Sequence, residues 1–237
     1  MKKTTTILIT ILVLALIIVT AVWLNKHNMA VAPAEVITQS PVVIIDTPIT
    51  ETYFTGSRPV ITGSSIVVTA ANDYLEKEIA SFKASADTEV PDIRKEFGND
   101  APPSHYSIDF KANYVVGAST ESIVIDGYRY TGGANGMSFY KVITARKDGD
   151  TVLSLSDIIS SEQQETFTTY VKNEILTRQE AVFTDDVNKL TFDSFKNFSL
   201  DDSTLTIYFD KYEIGPGALG AVAFPLELSA IQTYLKM

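Results

Sequence analysis

The hydrophobic pattern divides the chain into an N-terminal apolar run and a longer stretch of alternating and helical periodicities. Ile7 to Leu24 is apolar except for Thr10 and Thr20, and Lys2 and Lys3 precede it. Eighteen helical residues span roughly 27 Å, close to a hydrocarbon core of about 30 Å. Trp23 stands at the outer end, where an indole favours the interface, and the lysines predict a cytoplasmic N-terminus. Residues 1–24 are therefore expected to form a single-pass anchor that leaves a six-residue cytoplasmic stub. A cleaved signal peptide is the competing reading, with Ala30-Val31-Ala32 as the cleavage site, but the apolar run is long for one and Pro33 follows directly. Both readings place the remainder outside the cytoplasm.

Residues 25–41 lack periodicity and predict a linker. Beyond it the pattern predicts an α+β fold of two small sheet-plus-helix units in series. The first covers residues 42–149. Val42–Ile45 and Arg58–Val68 are expected as strands. A helix follows from Asp73, an N-cap residue with Glu76 three positions on, and Leu75, Ile79 and Phe82 share one face. Asp92–Phe97 adds a short helical turn. Gly98-Asn99-Asp100 and Pro102-Pro103 break the chain. Tyr106, Ile108, Phe110, Ala112 and Tyr114 then alternate with polar residues, the period of a half-buried strand. Glu121–Tyr130 and Ser138–Arg146 continue as strands around a glycine-rich loop.

The second unit covers residues 150–237. Leu153–Ile159 leads into a helix from Ser161, where Ser161 and Gln164 fit a capping box. Phe167, Tyr170, Val171 and Ile175 form its buried face. Phe198–Leu200, Thr204–Phe209 and Ala221–Leu228 are expected as strands, and Ser229–Leu235 as a terminal helix.

Charge narrows the function. The chain carries 19 Lys/Arg against 29 Asp/Glu. Three lysines lie before residue 30, so the remainder has 16 against 29, a net of −13. That disfavours nucleic acid, whose phosphates require a basic face, and suits a basic protein partner. With no cysteine there is no disulfide framework, no thiolate zinc site and no thiol nucleophile. His27 flanks the apolar run and His105 falls on the polar side of a strand, so neither a Ser-His-Asp site nor a zinc centre is expected. No catalytic residue, metal ligand or cofactor is assigned. Asp185-Asp186, Asp201-Asp202 and Asp148/Asp150 fall at turns, where carboxylates cap.

Two motifs remain. Tyr130-Thr131-Gly132-Gly133-Ala134-Asn135-Gly136 lacks the lysine of a phosphate loop and reads by itself as a strand connection. It resembles the YTGGAHG signature of a pair of bacterial extracytoplasmic domains of unknown function. The run from Phe209-Asp210-Lys211-Tyr212-Glu213-Ile214-Gly215-Pro216 to Gly220 resembles the same family's FDxYEIxPxxxG segment. Leu153–Ile159 is similar to its join between the two domains. The family histidine is Asn135 here, and Gly217 and Leu219 also depart from the pattern.

That pair occurs in the ectodomain of RsiV, a lysozyme-sensing anti-sigma factor, and ahead of the catalytic domain of PdaC-type peptidoglycan deacetylases. The resemblance extends over most of residues 42–237 and includes neither a sigma-binding nor a deacetylase segment. It implies a non-enzymatic envelope module that binds or senses lysozyme or peptidoglycan. The contact residues it points to are Tyr130, Thr131, Gly132, Gly133, Asn135, Gly136, Tyr212, Glu213 and Pro216. A glycan hydrolase with paired carboxylates and a structural envelope protein are the alternatives.

Overall fold

The computed structural model describes residues 41–98, 106–178 and 181–236, all within one compact unit. The expected anchor at Ile7 to Leu24, most of the linker and His105 lie outside the described residues. Among the described residues no helix is long and apolar enough to cross a membrane.

The architecture is mixed α+β with two sheets. A five-stranded sheet has the order β1-β2-β3-β4-β5: β1 Val43–Thr50, β2 Phe54–Thr62, β3 Tyr106–Val116, β4 Thr120–Tyr130 and β5 Met137–Arg146. The β2–β3 pair is parallel and its crossover contains the long helix α1, Ile66–Phe97. The remaining pairs are antiparallel. A three-stranded antiparallel sheet follows, of β6 Phe198–Leu200, β7 Thr204–Phe209 and β8 Val222–Glu227. It carries α2, Gln164–Arg178, the short α3, Thr184–Lys189, and α4, Leu228–Ile231.

Several boundaries differ from the sequence pattern. Ile66-Val67-Val68 was expected to end a strand but forms the first turn of α1, since Gly63-Ser64-Ser65 interrupts the extended run. A β-branched triplet suits either state, and packing decides. Val67, Val68, Ala71, Leu75, Phe82, Ala86 and Val90 make one stripe at helical spacing on the sheet. Asp73 is consequently interior to the helix rather than its cap. Residues 92–97 belong to the same helix, which continues past Pro91. The capping box expected at Ser161 is replaced by a 3-10 turn, Ser161–Gln163, that leads into α2. Boxes form instead at Ser154/Asp157 and Thr191/Ser194.

Helix α1 covers one face of the large sheet. Phe54 and Phe82 meet edge to face at 5.3 Å, within a core that includes Ile108, Phe110, Ile123, Ile125 and Ile143. In the second sheet Leu205, Ile207 and Phe209 turn toward Phe167, Val171 and Ile175 of α2. The intervening Tyr208 turns the other way and packs with Val124 and Val142 of the large sheet, its ring 4.9 Å from that of Tyr140. The period of two along β7 thus supplies a core on one side and an inter-sheet contact on the other.

Strand β5 is an edge, with backbone groups that β4 cannot reach. Residues from the C-terminal part of the chain pair them. Asn197 donates through Nδ2 to the Tyr140 carbonyl at 3.0 Å and accepts the Val142 N–H through Oδ1 at 3.2 Å, in the manner of a neighbouring strand residue. The Asp210 carboxylate accepts the Tyr140 N–H at 2.8 Å, and the Lys211 N–H donates to the Ser138 carbonyl at 3.0 Å. The Leu153 N–H donates to the Thr144 carbonyl at 2.7 Å. Hydroxyls complete the seam, Thr120 to the Leu200 carbonyl and Thr144 to the Phe198 carbonyl.

Replacing Asn197 with Leu fills the space but orphans the Tyr140 carbonyl and the Val142 N–H, Asn197 itself being only 8% exposed. We expect a loss of about 2–4 kcal/mol, read as a lower urea midpoint. An unchanged midpoint would show that the seam does not depend on this amide.

Candidate functional site

The two motifs meet. The 137–146 strand carries the first motif loop at its start, and the second follows β7, whose end lies beside β5. Tyr140 fastens Asp210, Ser138 fastens the Lys211 backbone, and Lys211 Nζ donates to the Gly136 carbonyl at 2.7 Å. Phe209 and Ile214 at either end of the FDKYEI segment are buried. The residues between them form a tight turn, in which the Glu213 N–H donates to the Asp210 carbonyl at 3.1 Å. Glu213 Oε2 accepts the Asp210 N–H in return at 2.8 Å.

Tyr212, at the third position of this turn, has φ +73° and is 51% exposed. It is the one non-glycine residue at positive φ among the described residues. Glycine or asparagine is usual at such a position, and a tyrosine there costs on the order of 1 kcal/mol. Gly217 makes room for it: a Cβ at 217 would lie 2.5 Å from a Tyr212 ring carbon. The Lys211 ammonium stands 5.0 Å from the ring centroid.

In the first motif the Tyr130 hydroxyl donates to the Gly133 carbonyl at 3.0 Å, and Gly132 and Gly133 both have positive φ. The loop is thereby presented beside Tyr212. Between the loops and α1 lies a groove of about 410 Å³, lined by Thr131, Gly132, Asn135, Gly136 and Tyr212 from the motifs. Of the nine expected contact residues, these five line it. Tyr130 and Gly133 brace the loop, Glu213 closes the turn, and Pro216 precedes the 3-10 turn Gly217–Leu219.

The far wall was not anticipated. Glu78, Ser81, Ser85 and Glu89 project from α1 at helical spacing beside the buried stripe, and Phe82, Arg129 and Met137 complete the lining. These polar residues look like an ordinary solvated helix face in sequence. The short serines flanking Phe82 were the one available hint. Arg129 pairs with Glu78 at 3.3 Å and stacks over Phe139 at 5.3 Å. Glu89 accepts the buried Tyr106 hydroxyl at 2.7 Å, and burial with that hydrogen bond pushes the Tyr106 phenol up to about 12.

The groove is therefore polar, with an exposed aromatic ring at one side and hydroxyl, amide, carboxylate and guanidinium groups around it. Asp201 is structural: its Oδ1 accepts the Ser203 and Thr204 N–H groups, which holds its carboxyl below the usual range. Among the described residues no three His, Asp or Glu are grouped to hold a metal ion.

Two outcomes follow from the Tyr212 turn. Tyr212→Asn should leave thermal stability within about 1 kcal/mol of the parent, because relief of backbone strain offsets a half-exposed ring. A much larger loss would mean that the ring is a packing element. Burial, followed by the nearby Asp210 charge, raises the Glu213 carboxyl above its ordinary value of 4.5, against the lowering effect of the Asp210 N–H. The folded state thus holds its proton more tightly than the unfolded chain, so this group's contribution to stability falls as pH rises from 4.5 through its raised value. Glu213→Gln keeps the acceptor and should gain stability relative to the parent over that window, in chemical denaturation at stepped pH.

Comparisons with known proteins agree with this layout. Residues 47–138 match the family model "Deacetylase PdaC", and residues 156–229 match "Protein of unknown function (DUF3298)". The peptidoglycan-N-acetylmuramic acid deacetylase PdaC of Bacillus subtilis is 22% identical over 174 residues, 70% of this chain and 36% of the relative. The chain thus spans about a third of that protein's length. A DUF3298-family crystal structure from Bacteroides fragilis superposes with a TM-score of 0.56 at 15% identity, covering 84% of this chain and 94% of the other. One from Pseudomonas aeruginosa gives 0.52 at 17%, with the same coverage. The first motif lies within the PdaC segment and the second within the DUF3298 segment, and the chain carries the pair of domains, PdaC-type followed by DUF3298, that its motifs resemble.

Proposed function

We propose that this protein is a non-catalytic binding module of the bacterial cell envelope, anchored through Ile7 to Leu24, and that it holds cell-wall glycan in the groove between α1 and the two motif loops. The observation that carries this reading is the convergence of Thr131, Asn135 and a strained, exposed Tyr212 opposite Ser81 and Ser85. An exposed ring offers a face for the C–H side of a sugar, and hydroxyls and amides answer its hydroxyls. A tyrosine kept at positive φ is the kind of strain that is retained where a side chain must point at a ligand.

The groove carboxylates do not favour a hydrolase. Glu78 and Glu89 are eleven residues apart on one helix, about 16 Å of rise, whereas glycosidase pairs stand about 5–10 Å apart. Each is also engaged, Glu78 by Arg129 and Glu89 by Tyr106.

The full-length chain on a biosensor should bind soluble peptidoglycan fragments saturably. Tyr212→Asn should weaken the binding about tenfold, the loss of roughly 1–1.5 kcal/mol of ring contact, and Ser85→Trp should block the groove. Lysozyme serves as the second analyte at two salt concentrations. Salt-sensitive lysozyme binding that ignores Tyr212→Asn, with no glycan binding, would replace the groove by the acidic surface as the working face.

A further inference from the structure

A second chamber of about 350 Å³ adjoins the groove and shares Glu78 and Arg129 with it. Its charge is unlike that of the rest of the protein. Arg129, Lys141 and Lys196 line it against Glu78 and Asp210, in a chain with 29 Asp/Glu against 19 Lys/Arg overall. The two acids are already committed. Glu78 takes the Arg129 guanidinium at 3.3 Å, and Asp210 takes the Tyr140 N–H at 2.8 Å.

Neither lysine is ion-paired with these acids, and the Lys196 charge also acts on the nearby Glu213 carboxyl. Lys141 lies 5.7 Å from the Tyr74 ring centroid, a contact that leaves its ammonium protons available, and Lys196 is exposed. Neither forms an ion pair among the described residues. Tyr74 lines the same chamber, and burial together with Glu78 pushes its phenol up, so it stays a neutral hydroxyl donor. The chamber therefore sets three cationic groups and a phenol donor against two carboxylates that already hold a guanidinium and a backbone N–H.

We propose that this chamber is an anion subsite, and that the ligand is a glycan whose sugar carries a carboxylate: the ring lies in the groove beside Tyr212 and the carboxylate reaches Lys141 and Lys196. This rests on the glycan reading of the groove. The acidic surroundings add selectivity. A net charge of −13 beyond residue 30 repels free anions, so a small carboxylate alone gains little, whereas one delivered by a ring bound next door meets the lysines at high local concentration. A neutral glycan forgoes this contact.

The test compares two disaccharides by calorimetry on the full-length chain: N-acetylglucosaminyl-N-acetylmuramic acid, which bears a lactyl carboxylate, and neutral di-N-acetylchitobiose. The carboxylated sugar should bind about tenfold more tightly at low salt, and the difference should shrink as salt is added. The Lys141→Gln/Lys196→Gln double variant should erase the difference and leave chitobiose affinity unchanged, and Lys141→Arg/Lys196→Arg should restore it. Equal affinities for the two sugars in the parent protein would overturn the subsite while the glycan reading stands. Tighter binding of a glycerol-phosphate oligomer than of the carboxylated sugar would overturn the carboxylate assignment. Binding of neither sugar would remove the glycan reading and the subsite with it.

Discussion

The exposed edge of β5 is the constraint on which the site depends. An edge strand offers N–H and C=O groups that must be paired or left in water, and an open edge invites pairing with another chain. Here later residues of the chain supply the partners, with one asparagine amide, one carboxylate and two backbone N–H groups. Because these contacts are directional, they also set the register of the β6–β8 sheet and its flanking turns along β5. Asp210 and Lys211 are bound to Tyr140 and Ser138, so Tyr212 is placed beside the loop that begins the strand. The groove follows from that register.

The same logic accounts for the composition of the second motif. Phe209 and Ile214 are anchors in the core, Asp210 and Lys211 tie the turn to β5 and the loop before it, and Glu213 closes it. Only Tyr212 is left over, pointing to solvent with an unfavourable backbone angle and with Gly217 cleared beneath it. When every other residue in a motif has a structural task, the strained one is the natural place to look for function. Along α1 the division is by face: one stripe is buried on the sheet, and the polar residues at its border form the opposite wall of the groove.

The chemistry of the groove and its neighbouring chamber separates into two parts. One side offers a ring with hydroxyl, amide, carboxylate and guanidinium groups, and the other offers two ammonium groups outside any ion pair beside Glu78 and Asp210. Such a division can distinguish ligands that share a scaffold and differ in charge.

By itself the sequence determined the α+β class, most of the strands and the buried faces of the helices. A period of two or of 3.6 is a local signal, plain in Tyr106–Tyr114 and in Phe167, Val171 and Ile175. Both motifs were legible only through their resemblance to a known domain pair, since by themselves the clustered glycines read as a strand connection. The tertiary structure decided the rest. Ile66-Val67-Val68 became helix because the stripe it completes is buried against strands distant in sequence. Ser161 gave up its capping role to a 3-10 turn. Asn197 gave no sign of its role, since an amide acts as a strand residue only when another strand lies beside it. The groove wall at Glu78, Ser81, Ser85 and Glu89, and the lysines of the chamber, were invisible for the same reason. A polar side chain on a helix or strand has no function in one dimension, and it acquires one when folding brings a partner surface opposite it.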